Sequence, residues 1–415
     1  MPSPYRTIFA APGSRSFSAA GLLGRMPLSM MGIGIVTMIS QLTGRYGLAG
    51  ALAATLAMSA AVFGPQISRL VDRHGQGRVL RPATLVAAVA VAGLLVCAQQ
   101  SAPDWALFVF AAGAGTVPSV GSMVRARWAA IYRGSPRELH TAYAWESIAD
   151  EICFIFGPIV SIGLSTAWFP EAGPLIAGVF LLIGVFWLTA QRATEPVPHP
   201  RDPHRKGGSA LRSSGLQVLV ATFVATGAVF GSVDVVTVAF AEERGHKAAA
   251  SLVLAAYALG SCLAGAVFGL LHLKGSPTKR WLLGVCAMAV SMIPLQLAGN
   301  LPFLAVALFV AGLAVAPTMV TTMALVEQHV PRAKLTEGMT WTSTGLAVGV
   351  SLGSSAAGWA VDGMGADAAY VVSVVSGALA AAVAFLGYRR LGRPATTRGG
   401  YGADERHHED EHRLA

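Results

Sequence analysis

Apolar segments long enough to cross a lipid bilayer alternate with polar loops along this chain, and nearly all basic residues fall on one side of them. A membrane-spanning helix needs about 20 apolar residues, and twelve segments reach roughly that length. With the N-terminus placed inside, the inner loops and tails hold 26 Lys and Arg residues, the outer loops hold 3, and Arg25 lies in the first segment. Because positive charge collects on the cytoplasmic side of membrane proteins, we predict a multi-pass plasma-membrane protein with both termini in the cytoplasm. The predicted spans are 17–41, 47–70, 80–99, 104–124, 142–168, 173–190, 216–240, 251–272, 281–298, 302–326, 338–361 and 368–388.

Composition agrees with a chain embedded in lipid. Charged residues are 12% of the sequence, about half of the ~25% found in soluble domains. The net charge of +9 follows from basic loops that face anionic lipid, so it predicts no nucleic-acid partner. The four cysteines all lie in apolar segments without metal-ligand spacing, and we interpret them as packing residues. We predict a monomer in the bilayer with no cofactor and no metal site.

A polar linker divides the predicted spans into two sets of six. Residues 191–215 are rich in proline, histidine and basic side chains, which is typical of a linker. The two sets share patterns, since AGAGTVP in the fourth span matches AGLAVAP in the tenth. Such a match in corresponding spans indicates a duplicated six-helix unit. We predict an N-terminal six-helix bundle at 1–190, a cytoplasmic linker at 191–215, a C-terminal six-helix bundle at 216–392 and a disordered cytoplasmic tail at 393–415.

The first inner loop, between the second and third predicted spans, reads SRLVDRHGQGR at 68–78. Its Asp72, Arg73, Gly75 and Arg78 resemble the Asp-Arg-x-Gly signature of the major facilitator superfamily, in the twelve-span form found in bacteria. The position of the loop, directly after the second span, agrees with that resemblance. It implies an all-α integral membrane fold of twelve transmembrane helices in two pseudo-symmetric six-helix bundles.

The resemblance covers about residues 17–390 and has two departures. Ser68 stands where the family often has glycine, which is a small change. The corresponding loop of the second half, 272–280, has no aspartate. We therefore assign a gating role to the first loop alone.

The same resemblance implies what the loop does. A helix N-terminus carries partial positive charge, and the eleventh span begins on the side of this loop. We expect Asp72 to dock on that terminus and to pair with Arg125 or Arg127 at the inner end of the fourth span. This contact would latch the two halves in an outward-facing state. The alternative is a solvated loop that only sets topology.

The fifth span contains Gly157 and Pro158, a partial match to the Gly-Pro motif of the superfamily's exporters. The glycine pair that usually follows the proline is not reproduced. The motif favours export, and the alternative is an ordinary proline kink.

Five charged side chains lie well inside predicted spans and away from their ends, where charge is costly and usually serves a pair or a functional site. Glu146 and Asp150 are four residues apart and share a helix face, and the resemblance places Arg25 within reach of either. A carboxylate in apolar surroundings takes a proton more readily than one in water. We predict Asp234 as the first proton-coupling candidate, followed by Asp150 and Glu151, with Glu146 and Arg25 as further members of the same set. A structural ion pair with Arg25 is the alternative for Glu146 and Asp150.

Aromatic side chains provide candidates for a substrate cavity. Trp145, Phe230, Tyr257 and Trp341 lie in spans that the resemblance places around or beside the cavity. An apolar substrate could pack on them, and the alternative for each is core or interfacial packing.

The function predicted from these features is secondary active transport by alternating access, with proton-coupled export of small organic or amphipathic molecules. Proton-coupled uptake of a sugar or metabolite is the nearest alternative, and a non-transporting membrane sensor or scaffold on the same fold is more distant. We predict no enzyme and, because the sequence has no phosphate-binding loop, no ATP-driven pump. HEDEH at 408–412 and GVSLG at 349–353 match hydrolase motifs by letter, but they lie in the charged tail and inside a predicted span, not in the structural context that these motifs require.

Overall fold

The computed structural model describes residues 4–198, 208–246, 249–271 and 275–391, and within these ranges the chain is helical with no strand. Part of the predicted linker, 199–207, and the predicted tail, 393–415, lie outside the described residues. The all-α prediction is confirmed. The α-helices are α1 Pro4–Ile8, α2 Ser14–Thr43, α3 Tyr46–His74, α4 Gln76–Gln99, α5 Asp104–Ala114, α6 Val120–Ile131, α7 Pro136–Ala167, α8 Ala172–Ala190, α9 Ser214–Glu243, α10 Ala249–Leu270, α11 Pro277–Ser291, α12 Leu301–Gly312, α13 Val315–His329, α14 Leu335–Ala369 and α15 Val371–Leu391.

Eleven helical stretches in the described ranges are long and apolar enough to cross a membrane, where twelve spans were predicted. The difference is the predicted fourth span, which is divided between α5 and α6. The gap contains Pro118, and proline disfavours helical geometry in the residue before it. Its counterpart Pro317 falls in the first turn of α13, where a missing N–H is tolerated. The tenth stretch, Leu301–His329, therefore stays long enough to qualify.

Several helices run further than the predicted spans at the end of the molecule where α1 lies, which we name the basic end. α7 begins at Pro136 rather than 142, and α13 continues to His329. The prediction trimmed these helices where charged residues begin. The backbone remains helical beyond that point because a helix satisfies its own hydrogen bonds in water as well as in lipid.

Glycines allow α9 and α14 to pack at very short range. A Cβ atom at Gly227 or Gly231 of α9 would collide with a backbone oxygen of α14, and one at Gly349 or Gly353 of α14 would collide with a backbone oxygen of α9. Small residues in this arrangement let membrane helices approach closely. The pair is therefore a rigid unit within the second half of the chain.

Three apolar clusters show how the first half of the chain, α1–α8, meets the second half, α9–α15. One cluster lies toward the opposite end and draws its buried residues from the first half alone. Another at that end draws them from the second half alone. The largest cluster, which we name the shared core, lies toward the basic end and contains large side chains of both halves, among them Phe17, Trp128, Tyr143, Leu216, Trp281 and Met339.

Several polar contacts between the halves lie on the same side as the shared core. The Ser68 and Thr340 hydroxyls are 2.7 Å apart, which joins α3 to α14. The Thr141 hydroxyl donates to the Gly269 carbonyl at 2.9 Å, which joins α7 to α10. The two halves are thus packed and hydrogen-bonded to each other toward the basic end.

Candidate functional site

Asp72 caps the N-terminus of α14. Its two carboxylate oxygens accept the backbone N–H groups of Thr336 at 3.3 Å and Glu337 at 3.0 Å. These N–H groups lie in the first turn, where no intrahelical acceptor exists, and the helix dipole favours a negative charge there. An α3 side chain is thereby fixed to the first turn of a helix in the other half.

The structure contradicts the predicted ion pair between Asp72 and Arg125 or Arg127. Arg127 is fully buried and donates to the Gln76 side chain at 2.7 Å and to the Thr194 hydroxyl at 2.6 Å. Arg125 is directed at Asp150 instead. Both arginines therefore stabilise the first half internally, and the helix terminus alone satisfies Asp72 within the described residues.

The rest of the loop signature forms a tight turn between α3 and α4. Gly75 has φ 93°, a backbone conformation that favours glycine. A Cβ atom there would lie 2.8 Å from a Glu195 carboxylate oxygen. That oxygen accepts the Gly77 N–H at 3.0 Å in the first turn of α4. Arg73 is half-buried and Arg78 is exposed.

Glu337 connects three parts of the chain and was missed by the sequence analysis. One oxygen of this fully buried carboxylate receives Arg69 at 2.8 Å, the Ser209 hydroxyl at 2.6 Å and the Ala210 N–H at 3.0 Å. Trp341 also donates to it, at 3.4 Å. In sequence, Glu337 lies just before a predicted span and resembles a loop residue, so no signal marked it.

A second network crosses the first half inside the membrane region. Arg25 contacts Glu146 through one guanidinium nitrogen and Asp150 through another, the latter at 2.8 Å. Glu146 also accepts Trp128 Nε1–H at 2.9 Å, and Asp150 also contacts Arg125. The four charges sum to zero. The side chains of Arg25 and Glu146 are only 3% and 1% exposed, whereas that of Asp150 is 32% exposed.

The two remaining carboxylates, Glu151 and Asp234, have no cationic partner among the described residues. Glu151 of α7 accepts the hydroxyl of Ser261 of α10 at 2.7 Å. Asp234 of α9 is exposed and makes no hydrogen bond or ion pair within the described ranges. Both interact electrostatically with the Tyr257 phenol, whose hydroxyl is buried without a partner in the described structure. Carboxylates of opposite halves thus both lie near one tyrosine.

The structure does not bring the four predicted cavity aromatics together. Phe230 and Tyr257 are in edge-to-face contact with ring centroids 6.1 Å apart. Trp145 instead donates to the Ser18 hydroxyl at 2.8 Å, and Trp341 lies at the Asp72 contact beside Glu337. The indole N–H groups of these two tryptophans have polar partners near the basic end, so the structure places them apart from Phe230 and Tyr257.

Gly157 and Pro158 lie within α7, which continues through them as a helix. A Cβ atom at Gly157 would collide with the side chain of Ser29 of α2. The Ser29 hydroxyl donates to the Cys153 carbonyl at 2.7 Å. At this place the motif allows α7 to pack closely on α2.

Comparison with known proteins identifies the family. The sequence profile described as Major Facilitator Superfamily matches residues 17–301 and 218–406. The chain belongs to the major facilitator superfamily. A search of curated protein sequences finds no match. Its family and its fold are therefore those of multi-pass membrane transporters.

Solved structures of other superfamily transporters have the same fold at low sequence identity. The human organic anion transporter MFSD10 (TETRAN) has a TM-score of 0.68 at 15% identity, over 92% of this chain and 99% of that chain. A bacterial homologue of the iron transporter ferroportin, in an outward-facing state, has 0.74 at 14%, over 91% and 99%. The superfamily transporter FucP, in the outward conformation, has 0.67 at 11%, over 91% and 99%.

Proposed function

We propose that this protein is a proton-coupled secondary transporter that exports small organic or amphipathic molecules by alternating access. The observation that carries the proposal is the pair of carboxylates without cations, Glu151 and Asp234, which belong to opposite halves and lie beside Tyr257. Intramembrane carboxylates are the usual carriers of protons in transporters. A proton or a cationic cargo that binds between them interacts with both halves at once.

In this proposal α5 and α6 together form the fourth span, so twelve spans make two six-helix bundles, 1–190 and 216–392. The linker at 191–215 joins them. Both termini and the basic end face the cytoplasm, because 26 of the basic residues belong to the loops and tails on that side. The membrane is then the plasma membrane, and the protein acts as a monomer.

The shared core and the Asp72 contact support an outward-facing state. Packing between the halves lies toward the basic end, whereas each half has a separate apolar cluster at the opposite end. A cavity between the halves then opens away from the cytoplasm. Two of the similar structures are described as outward-facing or outward, which agrees with this assignment.

The charges at the candidate site limit the class of cargo more than the cargoes of the similar structures do. The similar structures are described as handling organic anions, iron or fucose, so their cargoes differ and none carries over. The Arg25 network is neutral, which leaves Glu151 and Asp234 as uncompensated negative charge. We therefore include cationic amphipathic dyes among the test compounds. Proton-coupled uptake stays the second candidate, because FucP is described as a fucose:proton symporter.

The deciding experiment measures accumulation of labelled drugs, dyes and sugars in a host that lacks its own pumps, with and without a protonophore. Lower accumulation in cells with the wild type, lost on collapsing the gradient, establishes proton-driven export. Higher accumulation that depends on the gradient establishes uptake. The absence of any difference across the panel contradicts the transport proposal for these cargo classes and favours a sensor or scaffold.

Replacement of Asp72 by asparagine is expected to open the basic end more often. The variant loses the negative charge on the α14 N-terminus and weakens charge-assisted hydrogen bonds, together worth about 1–3 kcal/mol. The reporter is Ser68→Cys in a background without the native cysteines, since Ser68 is fully buried between α3 and α14. Maleimide labelling in nanodiscs should become at least about fivefold faster than without the substitution.

The matched control for this experiment is Asp362→Asn, which removes an exposed carboxylate near the other end of the same helix. It should leave the labelling rate of the Ser68→Cys reporter unchanged. Equal labelling rates in Asp72→Asn and in the parent reporter would show that the Asp72 contact does not hold the basic end closed.

A further inference from the structure

A short segment before the first span is packed between the two halves. Residues 4–13, which we name the N-terminal strap, begin with α1 and contact both α7 and α10. Ile8 is fully buried in the shared core. The strap is too short to be one of the twelve predicted spans. It also contributes no residue to the Asp72 contact or to the site of Glu151 and Asp234.

Aromatic and polar contacts fix the strap to the first half. Phe9 makes edge-to-face contacts with Trp128 and Trp145, with ring centroids 5.9 Å and 5.2 Å away. The Tyr132 hydroxyl donates to the Ile8 carbonyl at 2.7 Å. Each aromatic pair contributes about 0.5–1.5 kcal/mol beyond its buried area, so the strap is firmly attached on this side.

The Tyr5 side chain attaches the strap to the described part of the second half. The Tyr5 hydroxyl lies 2.9 Å from the Ala266 carbonyl oxygen and 3.3 Å from that of Gly265, and it donates to these acceptors near the end of α10. A carbonyl oxygen has a second lone pair for such a donor. Burial raises the pKa of Tyr5 to about 12, so its hydroxyl stays protonated and able to donate at physiological pH.

The strap acts beside the place where α7 meets α10. The next carbonyls of α10, at Phe268 and Gly269, receive the His140 ring at 2.8 Å and the Thr141 hydroxyl at 2.9 Å. A movement that separates α7 from α10 at the basic end must therefore also break the Tyr5 bonds. The strap adds its own contacts to those that hold this end closed.

We infer that the N-terminal strap is a conformational lock, which holds the basic end closed by tying α10 to the first half through Tyr5 and must release α10 before the cavity opens there. This inference rests on the alternating-access part of the proposed function, and it requires neither a particular cargo nor proton coupling. The stability of the contact between the strap and α10 then determines how often the basic end opens.

The test measures the distance between spin labels at Arg133→Cys and Lys279→Cys in full-length protein without the native cysteines. Both positions are exposed near the basic end, one in each half. Tyr5→Phe removes only the hydroxyl and should raise the ratio of long to short distances about two- to tenfold, the loss expected for one hydrogen bond. Phe9→Ala, which detaches the strap from the first half, should raise the ratio at least as much.

Tyr388→Phe is the matched control, because it removes a tyrosine hydroxyl from α15 and should leave the distribution unchanged. The lock is ruled out if the distance distributions of Tyr5→Phe and Phe9→Ala both match that of the wild type. It is also ruled out if Tyr388→Phe shifts the distribution as much as Tyr5→Phe does. The readout needs no cargo. Shifted distances without transport of any tested compound therefore support the lock and count only against the proposed transport of that panel.

Discussion

Replacement of Asp234 by asparagine is expected to reduce the proposed proton-driven transport strongly and to leave the folded protein intact. Asp234 is exposed in the middle of α9 and has no partner among the described residues, so asparagine breaks no contact of the fold. The amide cannot take up a proton, which removes the step that links cargo to the gradient. Gradient-dependent transport should fall at least about tenfold, the effect of ~1.4 kcal/mol in one equilibrium.

The informative comparison is between driven transport and exchange. In proteoliposomes without a gradient, exchange of labelled for unlabelled cargo should persist in Asp234→Asn, because the two halves still rock. Asp362→Asn serves as the control, since it removes an exposed carboxylate from α14 and not from the Glu151–Asp234 pair. Transport that stays coupled to the pH gradient in Asp234→Asn would remove this residue as the proton carrier and leave Glu151 as the next candidate.

The second large effect concerns stability. Replacing Arg25 by leucine leaves Glu146 buried, 1% exposed, without a cation. Removing one partner of a buried ion pair costs about 3–5 kcal/mol. We expect Arg25→Leu to lower the melting temperature in detergent and the yield of folded protein. The measurement is thermal unfolding followed by light scattering and by tryptophan fluorescence.

Two further variants separate charge from packing. Arg25→Leu combined with Glu146→Leu removes both charges and should recover much of the lost stability, because apolar replacements of buried pairs are often neutral. Arg45→Leu breaks an exposed pair, in which Arg45 and Asp104 are 56% and 45% exposed, and should change the melting temperature far less than Arg25→Leu does, because water screens exposed ion pairs. A double variant no more stable than Arg25→Leu would mean that the guanidinium serves packing and not charge balance.

The helices were largely predictable because lipid imposes a length and a hydropathy on each span. The division of the fourth span was not predicted, since the segment around Pro118 was counted within one continuous span, whereas the backbone leaves the helix there. At the basic end, the predicted spans also stopped short of the helix ends. Charge marks where the lipid ends, whereas the hydrogen bonds of the helix continue into water.

Parts of the candidate site depended on tertiary contacts that sequence spacing does not contain. Glu146 and Asp150 share a helix face by their spacing, so their placement beside Arg25 could be predicted once the resemblance set α2 against α7. The partners of Arg127 could not, because they come from two distant segments, at Gln76 and Thr194. The strap was invisible for another reason, since α1 has five residues and falls below any span-length criterion.

In the proposed transport cycle, the shared core favours one resting conformation. Separating its halves exposes apolar side chains, at about 25 cal/mol for each Å² that becomes wet, whereas the opposite end has no common core to divide within the described residues. With the proposed orientation, we expect an unloaded protein to rest with its cavity open on the side opposite the cytoplasm. Cargo from the cytoplasm must wait for infrequent openings, which can limit turnover more than the binding step does. Compounds applied from outside meet the cavity directly, so a blocker needs no route across the membrane.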